Sequence, residues 1–243
     1  MPDGLLNGRR ALVTGAARGI GFATARRFCD HGASVALCDV GELDGPVDEL
    51  AGQGHTALAV PFDVASEDAV EAGVAEARQR LGGLDVLVAN AGIVRFVPAL
   101  DTSLELWRQI LDVNLTGVFL CLRAAGRVFR EQGHGVLLAT SSQAGLHGYR
   151  GEAAYCASKF GVVGFSRALA AETKGRLGVT TVFPAGMDTR FFDGRDERYR
   201  PGPDAELIDA ADAAEAIMFA LTRPAGVELR ELVICPEQEP SWP

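Results

Sequence analysis

Lysine is nearly missing from this chain: of 23 basic residues only Lys159 and Lys174 are lysine. Asparagine and tyrosine occur three times each, so where these few residues fall carries information. Basic residues are outnumbered by 32 acidic ones, and the formal net charge of −9 argues against nucleic acid or an anionic membrane surface as a main partner. No apolar run approaches the ~20 residues that a membrane span needs. The first ten residues place their basic charges, Arg9 and Arg10, after a short apolar piece, which is not the order of a secretory signal. The five cysteines (29, 38, 121, 156 and 235) are odd in number and scattered. They form no C-x-x-C pair and no cluster with the four histidines, so no metal site is expected. Reduced thiols in a cytoplasmic chain are the simplest reading.

What is present is globular. The 243 residues are 48% apolar and 23% charged, with 29 glycines. A chain of this size can bury about 70% of its unfolded surface. Short apolar runs occur at 11–14, 34–38, 57–60, 84–89, 135–140, 179–183 and 229–234. Each is apolar on both faces and bounded by Gly, Pro or polar residues, as in a parallel sheet covered on both sides. Helical spacing lies between them, at 19–31, 67–81, about 104–132, 152–174 and 204–221. Strands alternating with helices predict one α/β domain over 1–243, a doubly wound sheet with helices on both faces. Residues 190–203, rich in Arg, Gly and Asp, read as a surface loop or lid, so that about 187–205 forms a substrate loop.

The first run ends in Thr14-Gly15-Ala-Ala-Arg18-Gly19-Ile20-Gly21. Glycine serves where the backbone turns sharply or meets a ligand without a Cβ in the way. The free N–H groups of a following helix then favour a pyrophosphate. A tight strand-to-helix turn alone would also use three glycines. The second run ends in Asp39, 18 residues beyond Gly21. A carboxylate there can bind both hydroxyls of an adenosine ribose and would repel a 2′-phosphate. Asp63-Val64 follows the third run, and Asn90-Ala91-Gly92 the fourth. All four features fall at carboxyl ends of strands, where open α/β sheets bind ligands.

The fifth run leads into Ser141-Ser142, and 13 residues beyond Ser142 stands Tyr155, followed four later by Lys159. Tyr and Lys at i and i+4 share a helix face. A phenol of reference pKa about 10 is a poor base near neutrality, and a neighbouring ammonium lowers that value by favouring phenolate. An amphipathic helix surface also produces Tyr-x-x-x-Lys. In a chain that otherwise uses Arg, however, a Lys here points to a need for a compact charge. Either Ser141 or Ser142 could be the functional serine.

The set Thr14-Gly-x-x-x-Gly-Ile-Gly21, Asn90-Ala-Gly92, Asn114, Ser142, Tyr155-x-x-x-Lys159 and Pro184, in order over about residues 8–235, resembles the short-chain dehydrogenase/reductase family, in its ~250-residue Rossmann-fold branch. The resemblance implies seven mostly parallel strands in the order 3-2-1-4-5-6-7. It implies hydride transfer between a nicotinamide and a secondary alcohol or ketone, with Tyr155 as general acid/base; the alternatives are an NADPH-dependent biosynthetic ketoreductase and a dinucleotide-binding protein of the same fold without catalysis. Lys159 would hold the nicotinamide ribose and lower the Tyr155 pKa, Ser142 would bind the substrate oxygen, and Asn114 would hold a water in a proton relay. Gly15, Arg18, Gly19, Ile20, Gly21, Asp39, Asp63, Val64, Asn90, Ala91 and Gly92 would line the dinucleotide, with Pro184, Met187 and Thr189 at the carboxamide. It also implies a homotetramer, with a dimer as the lesser assembly, paired through the helices at 104–132 and 152–174.

The pattern has departures. The family's Pro-Gly after the sixth strand is Pro184-Ala185-Gly186 here, and its Thr-Gly-x-x-x-x-Val-Asp-Gly-Gly near the C-terminus is replaced by residues 227–243. That tail, with Trp242, is a candidate for docking on a neighbouring subunit. Asp39 favours NAD over NADP, whereas Arg18 is a cation of the kind that NADP users place there; Asp39 weighs more, since an unpaired carboxylate facing a phosphate costs more than one Arg gains. Ile93 to Phe96, Gln143 to Tyr149, Met187, Phe191, Phe192 and Tyr199 are expected to wall a pocket for a compact or cyclic alcohol or ketone. Arg95, Arg190, Arg195 and Arg198 stand nearby, either for an anionic substrate group or as a solvated face.

Overall fold

The computed structural model describes residues 4–189 and 206–239. Seven of the apolar runs become parallel strands: β1 (Arg10–Thr14), β2 (Ser34–Cys38), β3 (Ala57–Ala59), β4 (Val86–Ala89), β5 (Val136–Thr140), β6 (Gly178–Pro184) and, last in the chain, Glu231–Ile234. They lie side by side in the order β3-β2-β1-β4-β5-β6 and then Glu231–Ile234, which is the expected order. All six pairings are parallel, in register Leu12 with Ala36 and with Leu87, and Leu87 with Leu137. The central strands are buried on both faces, which is why their sequences do not alternate.

Helices cover both faces. On one face lie α1 (Gly19–Asp30), α2 (Asp44–Gly52) and, near the C-terminus, Ala210–Leu221, which bury Phe28, Leu50 and Ile217 with Val13, Val35 and Leu37. On the other lie α3 (Glu67–Leu81), α4 (Leu104–Leu111), α5 (Gly117–Gln132) and α6 (Ala153–Glu172). Val70, Val74, Leu122, Phe129 and Val162 pack there on Leu12, Leu87 and Leu137. The acidic start of α3 is an N-cap: Ser66 Oγ accepts the Ala69 N–H, and Gly82 closes the helix at φ 72°. Arg10 at the foot of β1 pairs with the buried Asp85 before β4, Nε to Oδ2 at 2.8 Å. Its guanidinium holds the Asp85 carboxyl below its ordinary value against the opposing effect of burial. Among the described residues no helix is long and apolar enough to cross a membrane.

Three sequence expectations are corrected. The stretch 104–132 is not one helix: a π-helical turn, Asp112–Thr116, separates α4 from α5. Such turns leave the regular ladder and often mark functional sites; this one carries the buried Asn114. Helix α2 is unforeseen, because Gly45 and Pro46 read as turn residues and only Leu50 is buried. Pro46 falls in the first turn, where a missing N–H costs nothing. The last helix begins at Ala210, after Asp209 caps Ala211 N–H, and not at 204. Just before it β8 (Ile208–Asp209) pairs with β7 (Met187–Asp188), outside the main sheet. The last helix is therefore α7, and the final sheet strand Glu231–Ile234 is β9.

Candidate active site

β1 and β4 are neighbours, but the chain continues from β1 to β2 on one side and from β4 to β5 on the other. Their carboxyl ends open at the switch point of the sheet. A cavity of about 880 Å³ lies there. It is lined by Gly15, Arg18, Gly19, Ile20, Asp39, Asp63, Val64, Asn90, Ala91 and Gly92 at one end, and by Ser142, Tyr155, Lys159, Pro184, Met187 and Thr189 toward the other. Gly21 and Asn114 stand behind its wall.

The glycine turn is built for close approach. Gly15 has φ 67°, and a Cβ there would lie 2.8 Å from Ala91 Cα. A Cβ on Gly21 would lie 2.1 Å from the Gly15 carbonyl oxygen, so this glycine lets α1 start against the turn. At Gly19, φ 57°, a Cβ would meet Thr189 first, at 3.5 Å from Cγ2. Arg18 is the N-cap of α1 and gives it no side-chain hydrogen bond, which leaves first-turn N–H groups available to an anion. These features fit a dinucleotide pyrophosphate. At the end of β2, Asp39 Oδ2 accepts Ala17 N–H at 3.1 Å and Oδ1 accepts Gly41 N–H at 3.0 Å. Asp63 accepts Ala65 N–H at 2.9 Å, and Gly117 brings α5 so close that a Cβ on it would meet Val64 Cγ2 at 2.9 Å.

At the other end α6 carries Tyr155 and Lys159, both buried. Lys159 Nζ lies 5.6 Å from the Tyr155 ring centroid and donates to the Thr140 carbonyl at 2.8 Å. Burial pushes the ammonium pKa down to about 8. The two serines differ. Ser141 is buried and donates to the Lys159 carbonyl at 3.1 Å. Half-buried Ser142 accepts Ala144 N–H at 3.2 Å and lies 3.5 Å from the Pro184 carbonyl. Asn114 grips Ile93 from both sides, accepting its N–H and donating to its carbonyl, each at 2.8 Å. Its amide also donates to Ser158 Oγ at 3.2 Å, and Ser158 donates to the Tyr155 carbonyl at 2.7 Å. Asn114 thus couples the loop after β4 to the turn of α6 that bears Tyr155, and Gly92 packs between Asn114 and Lys159.

Sequence reasoning missed several contributors. Ser158 goes unmarked in the sequence, and Thr14 is marked only as the start of the glycine motif and not for its bonds to Asn90 and Ala91. Pro236, Gln238 and Glu239 line the cavity, so the start of the C-terminal tail lies on this chain's own site. Of the expected pocket wall, Ile93, Gln143, Ala144, Tyr149 and Met187 reach the cavity, while Phe96 packs behind Tyr155 and exposed Arg95 donates to Val94. Phe191, Phe192, Tyr199, Trp242 and the arginines at 190, 195 and 198 lie outside the described residues. Among the described residues no group of three or more His, Cys, Asp or Glu is placed to hold a metal.

Known proteins are similar to this chain in sequence and fold. The family model for short chain dehydrogenases matches residues 9–200. The chain is 39% identical over 220 residues to a cis-4-hydroxycyclohexanecarboxylate dehydrogenase of Sinomonas cyclohexanicum, covering 87% of this chain and 88% of that protein. It is 34% identical over 248 residues to the glycine betaine reductase ATRR of Emericella nidulans; that match takes in 99% of this chain but spans only 20% of the longer protein. The crystal structure of a short-chain type dehydrogenase/reductase from Mycobacterium marinum superposes with a TM-score of 0.85 at 32% identity, over 95% of this chain and 97% of that one. The chain belongs to the short-chain dehydrogenase family.

Proposed function

We propose that this oxidoreductase interconverts a secondary alcohol and a ketone with NAD(H), residues 1–243 acting as one dinucleotide-binding domain. The observation that carries the reading is one continuous cavity with the glycine turn and Asp39 at one end and Ser142, Tyr155 and Lys159 at the other. Gly15, Gly19, Ile20, Gly21, Asp63, Val64, Asn90, Ala91 and Gly92 would hold the dinucleotide, with Pro184, Met187 and Thr189 at its nicotinamide end. When bound there, the nicotinamide supplies or accepts hydride. Tyr155 gives a proton to the substrate oxygen in reduction and takes it in oxidation. The buried Lys159 ammonium stabilises the phenolate form through space. Ser142 hydrogen-bonds the substrate oxygen. Asn114 is a positioning residue that fixes Tyr155 through Ser158.

Asp39 supports NAD(H), because a carboxylate at the end of β2 that lines the cavity can bind ribose hydroxyls and would repel a 2′-phosphate. The second reading, an NADPH ketoreductase, draws on Arg18, which is exposed at the cavity and has no ion pair among the described residues. Parallel thermal-shift titrations separate them: a ligand at 100 times its Kd adds ~2.7 kcal/mol. Stabilisation by NADH and not NADPH is expected; the reverse outcome promotes Arg18 and the ketoreductase. Tyr155→Phe is expected to cut turnover by about 10²–10⁴-fold with NADH binding intact. Full turnover in that variant would remove Tyr155 from the chemistry.

The homotetramer belongs to the same proposal. Leu104, Trp107, Phe119 and Phe160 expose apolar surface on α4, α5 and α6. Phe160→Asp should shift the sedimenting species to lower mass, and an unchanged mass would exclude this face from the assembly.

A further inference from the structure

Two buried polar groups on the cavity lining are left over among the described residues, Thr140 Oγ1 and the Gln143 amide, and the amide is the one with only donor hydrogens unspent. Gln143 follows Ser142 in the chain and is only 4% exposed, yet its amide Nε2 has no hydrogen-bond partner among the described residues. A buried amide hydrogen bond left unmade costs about 1–3 kcal/mol, so such a group calls for an explanation. The backbone gives no reason for it. Residues 143–145 form a tight turn in which Leu146 and His147 N–H groups both donate to the Gln143 carbonyl, at 2.8 and 2.9 Å. The turn is pressed onto α6: a Cβ on Gly145 would lie 2.5 Å from Ser141 Oγ and 2.9 Å from the Lys159 carbonyl. The carbonyl of Gln143 is therefore fixed and satisfied, and its side-chain amide is unspent. Tyr149 donates its phenolic O–H to Gln143 Oε1 at 3.4 Å, which occupies the acceptor end of the amide and leaves the donor end over. Both residues line the cavity, and Tyr149 packs on the same small apolar cluster as Tyr155.

We infer that Gln143 is a substrate-recognition residue whose amide N–H receives a second oxygen of the substrate, adjacent to the carbon that reacts. This rests on the oxidoreductase reading above and narrows its substrate class. The substrate is an alcohol or ketone with a neighbouring hydrogen-bond acceptor, such as a hydroxyl, ether, carbonyl or carboxylate oxygen, and is not a plain hydrocarbon ketone. Rotation about the terminal torsion of glutamine, which is broad, turns the amide from the wall toward the cavity. Sites built to bond a substrate oxygen reject analogues that lack it, because a buried group is then left unpaired.

The test uses the full chain and two ketones of nearly equal shape, 2-methoxycyclohexanone and 2-ethylcyclohexanone, reduced with NADH and, separately, NADPH. They differ by one ether oxygen in place of a methylene, an oxygen that can only accept. The wild-type ratio of kcat/KM, methoxy over ethyl, is expected to exceed that of Gln143→Leu by about tenfold, the scale of one buried hydrogen bond. Intrinsic reactivity cancels in this comparison. Gln143→Met, which keeps the length and carries no N–H or O–H donor, should lose the same preference, and thermal melting establishes that each variant is folded. Equal ratios in wild type and in either folded variant overturn the role of Gln143 while the oxidoreductase reading stands. No reduction of either ketone with either cofactor overturns both.

Discussion

Thr14 and Asn90 hold each other across the switch point of the sheet. Thr14 Oγ1 accepts the Asn90 N–H at 3.0 Å, and Asn90 Nδ2 donates back to the Thr14 carbonyl at 3.1 Å. The same hydroxyl accepts Ala91 N–H at 3.1 Å, and the Asn90 amide also reaches the Gly15 carbonyl at 3.3 Å. One threonine and one asparagine thus set the spacing between β1 and β4 at the point where the glycine turn begins. Thr14→Val keeps the shape and removes the acceptor for two N–H groups. It should lower stability by about 1–3 kcal/mol, the cost of unsatisfied buried donors. NADH affinity should fall with it, because the turn loses its brace. Urea unfolding and NADH fluorescence titration measure the two effects, and unchanged affinity in a destabilised variant would show that the bond serves the fold alone.

Two glycines separate a turn that tolerates nothing from one that gains by filling. Gly21→Ala puts a methyl 2.1 Å from a backbone oxygen, which no side-chain rotation relieves. The shift forced on the turn should cost about 1–3 kcal/mol and weaken dinucleotide binding correspondingly. Gly52, at the end of α2, has nothing within 4 Å of a Cβ. Gly52→Ala should stabilise by about 0.5 kcal/mol through lower unfolded-state entropy and leave binding alone. Melting curves with and without NADH separate the pair. A Gly21→Ala enzyme with wild-type NADH affinity would contradict the tight approach.

These bonds explain what the sequence could and could not disclose. The strands were legible because each is a short apolar run with no alternation, and the site because Gly15, Gly21, Tyr155 and Lys159 sit at fixed spacings. Asn114 was legible as a residue of interest, but its π-helical turn was not. The apolar spacing continues through 104–132, and the break shows only in the backbone, where the Gly117 N–H reaches the Asp112 carbonyl five residues back. α2 hid behind Gly45-Pro46. Thr14 and the cavity-lining start of the C-terminal tail acquire their roles from partners distant in sequence, and Gln143, legible as pocket wall, shows its unspent amide only in the folded chain.

Asp39 sets the expected cofactor choice, and its own bonds qualify what replacing it does. The carboxylate braces the backbone at Ala17 and Gly41. Asp39→Ser therefore removes both a charge and a brace. NADPH should gain on NADH by at least about tenfold in kcat/KM ratio, with Arg18 free to meet the 2′-phosphate, as one charge pair is worth about 1.4 kcal/mol or more at a desolvated contact. Asp39→Ser with Arg18→Ala should lose that gain. A ratio unmoved by Asp39→Ser would remove this residue from the choice.

Lys159 makes stability depend on pH. Its ammonium is buried, and desolvation lowers its pKa from 10.5 to about 8. Below pH 8 the lysine is charged in both the folded and the unfolded chain. Between 8 and 10.5 the unfolded chain holds the proton that the folded chain has released, so stability rises with pH, by up to about 1.4 kcal/mol per unit and roughly 3 kcal/mol in all. The buried thiols act in the opposite sense. Burial pushes Cys29 and Cys121 up to about 12, so the unfolded chain alone loses their protons above about pH 9, which lowers stability there. The net curve of the wild type mixes these effects, but Lys159→Met shares the thiols and lacks the ammonium. Urea unfolding of both proteins without cofactor, from pH 7.5 to 10.5, isolates the lysine. Wild type should gain on the variant steadily from pH 8 upward. A gap that stays constant over this range would mean that the Lys159 charge is not desolvated, and the proposed lowering of the Tyr155 pKa by a strong, unscreened neighbour would lose its basis.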